Sequence, residues 1–532
     1  MANATGWKPT MNEGAGGGSR DDVGVGGATR GIAYEEKLVF EQGSPGRSGV
    51  SLPPPGGKAE PASELPAALL RAEVAGMPEL SELEVVRHFT RLSAWNHGID
   101  TGFYPLGSCT MKYNPKSSEA LARLPAFANA HPLAAPELVQ GSLELMYGLE
   151  RALSEIAGMD STTLSPAAGA QGELTGLMLI RAYHEARGNP RKKVLIPDTA
   201  HGTNPASSAL NGYDVVPVAS GEDGKLHPDA VRAVMDEDVA CIMITNPNTL
   251  GIFESHIAEI AEIVHAKGGL VYGDGANMNA LLGVARPGDM GFDVIQYNLH
   301  KTFATPHGGG GPGSGPVAMK ASLAPYQPLP VVVKEGEQYR LVTDPKERPQ
   351  TVGKVREWWG NSGMFVRAWA LIREYGPEGV ALTGRLAVLN ANYVRAKLRD
   401  VFHLPYETDS LHEVVFDDDA QKANDVTTMD IAKRLIDHGF HPPTIYFPLV
   451  VHGALMIEPT ETESKEAIDG FIAAMRAIAE EAKTDPAALK ASPQKPVRQR
   501  LDETRAARKP VLRWKPGMSF DSGLPSAGLR SG

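Results

Sequence analysis

The stretch Asp293-Val-Ile-Gln-Tyr-Asn-Leu-His-Lys-Thr-Phe303 decides the fold of this chain. It begins as an apolar strand and ends with the pair His300 and Lys301, which the pattern places in a loop. The glycine-rich segment Pro306-His-Gly-Gly-Gly-Gly-Pro-Gly-Ser-Gly315 follows directly. Because glycine allows a backbone to approach a ligand closely, this lysine differs from an ordinary surface lysine at a strand end.

Short apolar strands alternate with amphipathic helices on both sides of this stretch, from about residue 160 onwards. The predicted strands are 162–164, 193–196, 215–218, 240–244, 270–272 and 294–297, and the predicted helices are 171–187, 203–211, 228–235 and 255–267. Repeated strand–helix units predict a mostly parallel sheet with helices on both faces, which Val317–Met319 could close. Ligands of such sheets bind at the carboxyl ends of the strands.

An aspartate ends the strand that precedes Lys301. It lies in Gly268-Gly-Leu-Val-Tyr-Gly-Asp-Gly-Ala276, where Asp274 by itself would be read as an ordinary strand-ending turn. A lysine and an aspartate at neighbouring strand ends are what pyridoxal phosphate requires: an amine for a Schiff base and an anion for the ring nitrogen. Ala276 is small enough to lie against a flat ring.

A turn of small residues, Ser165-Pro-Ala-Ala-Gly-Ala-Gln-Gly172, joins a predicted strand to a helix. Exposed amides at a helix N-terminus bind phosphate, so Gly169 and Ala170 are candidates for the phosphate site. The turn lacks the ending of a Walker P-loop and is not a GxGxxG fingerprint. A generic small-residue turn is the alternative.

Two further turns follow predicted strands. His201, in Asp198-Thr-Ala-His-Gly-Thr-Asn-Pro205, could stack on a planar cofactor or move protons near neutral pH, although a lone histidine in a turn is usually structural. Thr245 and Asn246 could donate hydrogen bonds to a ring oxygen, and a simple proline turn explains them equally well.

Composition excludes several classes of protein. The net charge of −11 argues against nucleic acid or an anionic membrane as the main partner. With only Cys109 and Cys241, the chain is no disulfide scaffold and suits a reducing compartment. No metal-ligand spacing, membrane-spanning apolar run or secretory signal occurs, which predicts a cytoplasmic protein without a metal site.

The length of 532 residues predicts two or three domains. Further helices are predicted within 75–100, 136–158, 361–400, 429–438 and 464–482. The predicted divisions are a disordered leader at 1–30, an extended arm at 31–75, a large cofactor-binding α/β domain at 76–335 that starts with helices, a small α+β domain at 336–485 and a tail at 486–532.

Several long motifs resemble the glycine cleavage system P-protein family, a group of fold-type I pyridoxal phosphate enzymes. The resemblance covers about residues 35 to 515. Within the family, the chain is similar to subunit 2 of the two-subunit bacterial form. Its motifs are Trp95–Asp100, Phe103–Pro115, His201–Ala206, His300–Phe303 and Arg505–Trp514.

The resemblance implies glycine dehydrogenase (aminomethyl-transferring) activity. Glycine would lose CO2, and its aminomethyl group would pass to the lipoyl disulfide of the H-protein. The family's cofactor lysine maps onto Lys301, and by position Asp274 maps to the ring nitrogen and His201 to the ring face. The family also implies a cofactor-free subunit 1 as partner in an α2β2 assembly.

Two other functions remain open on the residues alone. A different pyridoxal phosphate enzyme, such as an amino-acid decarboxylase or a cysteine desulfurase, would share the fold, and a desulfurase needs a mobile catalytic cysteine. A non-catalytic scaffold subunit is the second alternative, although it predicts loss of the cofactor lysine, and Lys301, Asp274 and His201 are all present.

Overall fold

A computed structural model describes residues 36–50, 65–71, 76–308, 313–496, 499–513 and 515. The chain forms two compact units, one of residues 1–97 with 500–532 and one of residues 98–499. The predicted leader lies outside the described residues. Within those residues, no helix is both long enough and apolar enough to cross a membrane.

The helices are α1 Glu82–Ser93, α2 Lys116–Ala122, α3 Pro125–Ala128, α4 Gln140–Ala157, α5 Gly169–Ala186, α6 Thr203–Leu210, α7 Pro228–Val234, α8 Ile257–Ala266, α9 Leu299–Thr302, α10 Ser362–Leu398, α11 Asp419–Lys422, α12 Thr428–Asp437, α13 Lys465–Thr484, α14 Pro486–Ala491 and α15 Glu503–Arg508. The strands are β1 Ser161–Thr163, β2 Lys193–Pro197, β3 Asp214–Val218, β4 Val239–Thr245, β5 Leu270–Gly275, β6 Val294–Tyr297, β7 Val317–Met319, β8 Val331–Glu335, β9 Gln338–Val342, β10 Val414–Phe416, β11 Thr444–Ile445 and β12 Leu455–Ile457.

A seven-stranded sheet organises the larger unit, in the order β1-β7-β6-β5-β4-β2-β3. The five strands from β6 to β3 run parallel, which confirms the predicted mostly parallel sheet. Strand β7 does not close the sheet, because it lies between β6 and β1 and pairs antiparallel with both. An antiparallel strand at one edge is common in sheets of this kind.

The central strands β4, β5 and β6 are buried along their whole length and mostly apolar because both faces of the sheet are covered. In β4, Ile242 and Ile244 enter the core on one face, whereas Cys241 and Met243 enter the core on the other. Helix α8 buries Ile257, Ile260, Ala261 and Val264, the i, i+3, i+4, i+7 stripe of an amphipathic helix.

A second sheet, β10-β12-β11, is antiparallel and packs with α12 and α13 around a core of its own. Helix α10 reaches both cores: Phe365 and Leu371 lie in the first and Val394 and Leu398 in the second. Its two halves meet at Gly376, whose φ of 62° and following proline interrupt the helix. The predicted domain boundary at 335/336 falls at the turn of the β8–β9 hairpin and stays a prediction.

The smaller unit contains α1, which begins with a capping box formed by Ser81 and Glu84. The helix is shorter than the predicted span 75–100. The arm is not purely extended either: Val39–Glu41 form a 3-10 turn, and the buried Glu36 carboxylate binds Arg91 and His88. Burial opposes ionisation of Glu36, but these partners hold its pKa below the usual range.

Candidate active site

The predicted site residues lie at the carboxyl ends of neighbouring parallel strands. Thr245 at the end of β4 is paired with Asp274 of β5, and Asp274 is paired with Gln296 of β6. Four residues after β6 ends, the chain reaches Lys301. Because this register is fixed by buried strands, the three strand ends form one rigid edge.

Lys301 lies in the short helix α9, not in the predicted loop. Its backbone N–H donates to the carbonyl of Asn298 at 3.0 Å, while the N–H of Leu299 donates to the carbonyl of Ser314 at 3.1 Å. Leu299 is fully buried and anchors the turn, and Lys301 itself is half-buried. A four-residue turn carries no helical periodicity, so the sequence pattern could not reveal it.

Asp274 is 3% exposed, and donors approach both of its oxygens. Asn204 Nδ2 donates to Oδ2 at 3.0 Å, the Ala276 N–H donates to Oδ1 at 2.9 Å, and Gln296 Nε2 donates to Oδ1 as well. These bonds fix the orientation of the carboxylate at the strand end. Ala276 is half-buried beside it.

Glu173, on the first turns of α5, is a second buried carboxyl group at this edge, and sequence reasoning missed it. Asn204 Nδ2 bridges the two acids, since it also donates to Glu173 Oε2 at 2.9 Å. Burial, and then the charge of Asp274, raise the pKa of Glu173 to about 8. One glutamate in a helix gives no sequence signal; only the packing of α5 and α6 brings it here.

His201 is solvent-exposed and lies beside Phe447, with 5.5 Å between the ring centroids. Its Nδ1 is 2.7 Å from the Thr203 hydroxyl. The pKa of His201 is lowered, chiefly because the surrounding protein removes water from the imidazole. The negative charge of Asp274 opposes this shift, and the positive charge of Lys301 adds to it. The three residues predicted to be catalytic therefore lie within electrostatic reach of one another.

The turn before α5 approaches the Lys301 segment very closely. A Cβ on Gly169 would lie 2.0 Å from Asn298 Oδ1, and a Cβ on Gly315 would lie 2.0 Å from the Ala168 carbonyl oxygen. Helix α5 begins at Gly169 with no side-chain cap, so N–H groups of its first turn, including that of the exposed Ala170, are available to a ligand.

Thr245 and Asn246 are both buried at this edge. Asn246 Oδ1 accepts from the Glu254 N–H at 3.0 Å, whereas Asn246 Nδ2 and the Thr245 hydroxyl have no protein partner among the described residues. Buried polar atoms normally have partners, so these two atoms fit hydrogen bonding to a ligand.

Two imidazoles flank Lys301. The rings of His300 and His307 meet edge to face with centroids 5.0 Å apart, and His300 Nδ1 accepts from the Ser314 N–H at 3.4 Å. Burial, with the charge of Lys301 contributing, lowers the pKa of His300 to about 3 and that of His307 to about 4. Both rings are therefore neutral at physiological pH.

The residues present fit pyridoxal phosphate. An uncapped helix N-terminus suits its phosphate, a buried aspartate suits its ring nitrogen, a half-buried lysine suits its aldehyde, and unpartnered polar atoms at β4 suit its ring oxygen. The sulfur chemistry of a desulfurase fits less well. Cys241 is buried within β4, and burial raises the pKa of the Cys109 thiol, which disfavours a nucleophilic thiolate.

Comparison with known proteins agrees with this geometry. Residues 61–333 match the family model of the glycine cleavage system P-protein, and residues 383–499 match the glycine dehydrogenase C-terminal domain. The probable glycine dehydrogenase (decarboxylating) subunit 2 of Halalkalibacterium halodurans is 57% identical over 483 residues, which cover 90% of this chain and 98% of that protein. Its namesake from Listeria innocua is 55% identical over 480 residues, with coverage of 90% and 98%.

A solved structure supports the fold. The crystal structure of glycine decarboxylase (P-protein) in inhibitor-bound form superposes with a TM-score of 0.67 at 21% identity, covering 78% of this chain and 94% of that chain. This likeness confirms the predicted fold type, and the family match confirms the predicted cofactor. The chain belongs to the glycine cleavage system P-protein family, the pyridoxal-phosphate-dependent glycine dehydrogenases (decarboxylating).

Proposed function

We propose that Lys301, Asp274 and His201 carry the decarboxylation of glycine and the transfer of its aminomethyl group to a lipoyl disulfide. The observation that carries this assignment is the convergence of the three residues at one sheet edge, beside the uncapped N-terminus of α5. Bound there, pyridoxal phosphate supplies an electron sink for the carbon that loses CO2.

Each residue has a defined task in this proposal. Lys301 Nζ would hold the cofactor aldehyde and give way to the amino group of glycine. Asp274, fixed by its donors, would keep a proton on the ring nitrogen, and His201 would pack against the ring.

Other predicted residues position the cofactor. Gly169 and Ala170 would bind the phosphate through their N–H groups, and Thr245 and Asn246 would bind the ring oxygen. Ala276 would leave room for the ring. His300, neutral through burial, packs beside the lysine without adding charge.

The partners follow from the family. We assign glycine and the lipoylated H-protein as substrates, and a homologous subunit 1 as the second chain of an α2β2 heterotetramer, because the similar bacterial proteins are named subunit 2. A cytoplasmic location is part of the proposal, since both cysteines are free thiols and a reducing compartment suits them.

A Lys301→Ala variant tests the assignment. Borohydride reduction of the wild-type protein with pyridoxal phosphate should fix the cofactor to the peptide that contains Lys301, and the variant should show no fixed cofactor. Glycine-dependent exchange of labelled bicarbonate, assayed with subunit 1 and H-protein, should disappear as well. Lys267, exposed after α8, provides the matched control Lys267→Ala. Cofactor fixed to another lysine, or activity with serine but not glycine, would refute the proposal.

A further inference from the structure

A chain of hydrogen bonds joins His201 to Asp274 at the end of β5. It runs through Thr203, Glu173 and Asn204. Thr203 Oγ1 lies 2.7 Å from His201 Nδ1 and 3.1 Å from Glu173 Oε1. Asn204 Nδ2 lies 2.9 Å from Glu173 Oε2 and 3.0 Å from Asp274 Oδ2. Glu173, Asn204 and Asp274 are at most 5% exposed, so most of the chain is shielded from water.

The neighbours of the His201 imidazole decide which ring nitrogen carries the proton. The backbone N–H of Thr203 donates to His201 Nδ1 at 3.3 Å. Because a backbone amide can only donate, Nδ1 is a nitrogen without a proton, and the imidazole is neutral. The Thr203 hydroxyl, 2.7 Å from the same nitrogen, must then donate to it as well. The imidazole proton therefore lies on Nε2.

The same hydrogen bonds place a proton on Glu173. The Thr203 hydroxyl has one hydrogen, and His201 Nδ1 receives it. The contact of 3.1 Å between Thr203 Oγ1 and Glu173 Oε1 is therefore a hydrogen bond only if Oε1 is protonated and donates. The other oxygen, Oε2, accepts from the Asn204 amide, whose second hydrogen serves Asp274. All donors and acceptors of the chain are then matched.

Three titratable groups face Glu173 from the elements packed against it. They are Asp274 and Tyr272 of β5 and Lys301 of α9. Burial, and then the charge of Asp274, raise the pKa of Glu173 to about 8, while Lys301 opposes the shift. Burial raises the pKa of Tyr272 well above its usual range, so this hydroxyl is neutral. The electrostatic environment therefore agrees with the proton that the hydrogen bonds place on Glu173.

We propose that Glu173 and Thr203 are positioning residues that hold His201 as the neutral tautomer with its proton on Nε2. In this state His201 offers the substrate a hydrogen-bond donor, and Nε2 cannot accept a proton. Of the two roles that the sequence leaves open for this histidine, the tautomer thus favours packing and hydrogen bonding over proton abstraction. The assignment rests on the proposed function, which places His201 beside the cofactor ring.

Nitrogen-15 NMR of the cofactor-free chain with labelled histidine tests the tautomer directly. The signals that His201→Gln removes identify His201, and near neutral pH they should show a protonated Nε2 and an unprotonated Nδ1. Thr203→Val should weaken this preference, because valine keeps the shape of threonine without the hydroxyl, and Thr203→Ser should restore it. A proton on Nδ1 of the wild type, or equal signals in wild type and Thr203→Val, would overturn the inference.

The pH dependence of the same signals tests the part played by Glu173. An ionised Glu173 only accepts, so the Thr203 hydroxyl would turn to it and leave His201 Nδ1 with the longer bond from the amide. The wild-type preference should therefore weaken as pH rises through about 8. Glu173→Gln should keep the preference across this range, because its amide donates to Thr203 and its carbonyl accepts from Asn204. Identical pH profiles in the two proteins would exclude the role of Glu173.

Activity of the holoenzyme, assayed with subunit 1 and H-protein, gives an independent readout. We expect Thr203→Val and Glu173→Leu to slow glycine–bicarbonate exchange by about 10-fold or more, because one tautomer is no longer held. Thr203→Ser and Glu173→Gln should each recover most of the loss. The control is Thr383→Val, since Thr383 is buried in α10 and its hydroxyl donates to the Val380 carbonyl at 2.7 Å.

The two readouts separate this inference from the proposed function. Equal losses of exchange in Thr203→Val and Thr203→Ser would contradict the role of the hydroxyl and overturn the inference. A wild-type chain that has the expected His201 tautomer but releases no CO2 from glycine would refute the proposed function alone.

Discussion

At the scale of single residues, the site is built from carboxyl groups in unlike environments. Asp274 accepts three hydrogen bonds at the strand end, while Glu173, joined to it through Asn204, is protonated because burial and the neighbouring charge oppose its ionisation. Carboxyl pairs whose environments separate their protonation states are typical of catalytic sites. Here the proton on Glu173 removes one negative charge from beside Asp274.

Asp274→Asn should abolish most of the activity, because asparagine keeps the shape of the side chain but cannot keep a proton on the ring nitrogen. We expect glycine–bicarbonate exchange to fall by about 10²-fold or more. Asp293→Asn is the control, since Asp293 lies at the opposite end of β6 and pairs with His265. Equal exchange rates in wild type and Asp274→Asn would exclude the assigned role.

Glu173 predicts a defined pH dependence of stability. Its pKa of about 8 in the folded chain exceeds the ordinary value of 4.5, so the folded state binds the extra proton. This contribution is complete below pH 4.5 and is lost as pH rises through about 8. The free energy of unfolding of Glu173→Gln minus that of wild type, from urea melts of the cofactor-free chain, should therefore rise by about 1.4 kcal/mol per pH unit in this window. A flat difference would contradict the protonated state of Glu173.

Some residues of the site could be identified from the sequence pattern, and others could not. Lys301 and Asp274 could be singled out because each lies at, or a few residues after, the end of an apolar strand, and parallel strand ends share one edge. Glu173 and Asn204 were not singled out, since their neighbours come from distant parts of the chain. Isolated polar residues carry no period or spacing that could identify them.

At the scale of elements, apolar runs located the strands of the large sheet within a few residues. The strand predicted at 240–244 is β4, Val239–Thr245, and the helix predicted at 171–187 is α5, Gly169–Ala186. The β8–β9 hairpin was missed, although its signal is present: two β-rich runs flank Gly336 and Glu337, and Gly336 has a φ of 64°.

The contact between the Gly315 segment and the turn before α5 predicts a sensitive position. Gly315→Ala would bring a methyl group against the Ala168 carbonyl, and the resulting shift should destabilise the chain by about 1–3 kcal/mol. It should also weaken cofactor binding, because Gly169 and Ala170 move with that turn. Gly141→Ala on α4, where a Cβ meets nothing within 4 Å, is the control. Unchanged cofactor affinity by fluorescence titration would count against the proposed phosphate site.

At the scale of the whole molecule, the larger unit has separate cores that α10 joins across its break at Gly376. Alternation of strands and helices was enough to predict the large α/β part. The extent of the small part was harder to predict, because α10 belongs to both cores and a single helix shows no boundary in its apolar pattern.

Cofactor removal should lower the thermal stability of the chain. Ligand that binds only the folded state adds about 2.7 kcal/mol when present at 100 times its dissociation constant. We expect pyridoxal phosphate to raise the Tm of wild type in calorimetry and to raise that of Lys301→Ala much less, with Lys267→Ala behaving as wild type. Equal shifts in all three proteins would show that binding does not depend on Lys301.

The hydrogen bonds that Thr110, in the segment that contains Cys109, donates to Glu458 also have a consequence for the synthesis of the protein. The two residues are 348 positions apart in the chain. At about 5–20 residues per second, a ribosome needs on the order of 20–70 s to synthesise the intervening chain. During that interval the Cys109 segment has emerged without the carboxylate that will fix it. The contact that fixes the Cys109 segment is therefore among the last parts of the protein to form during its synthesis.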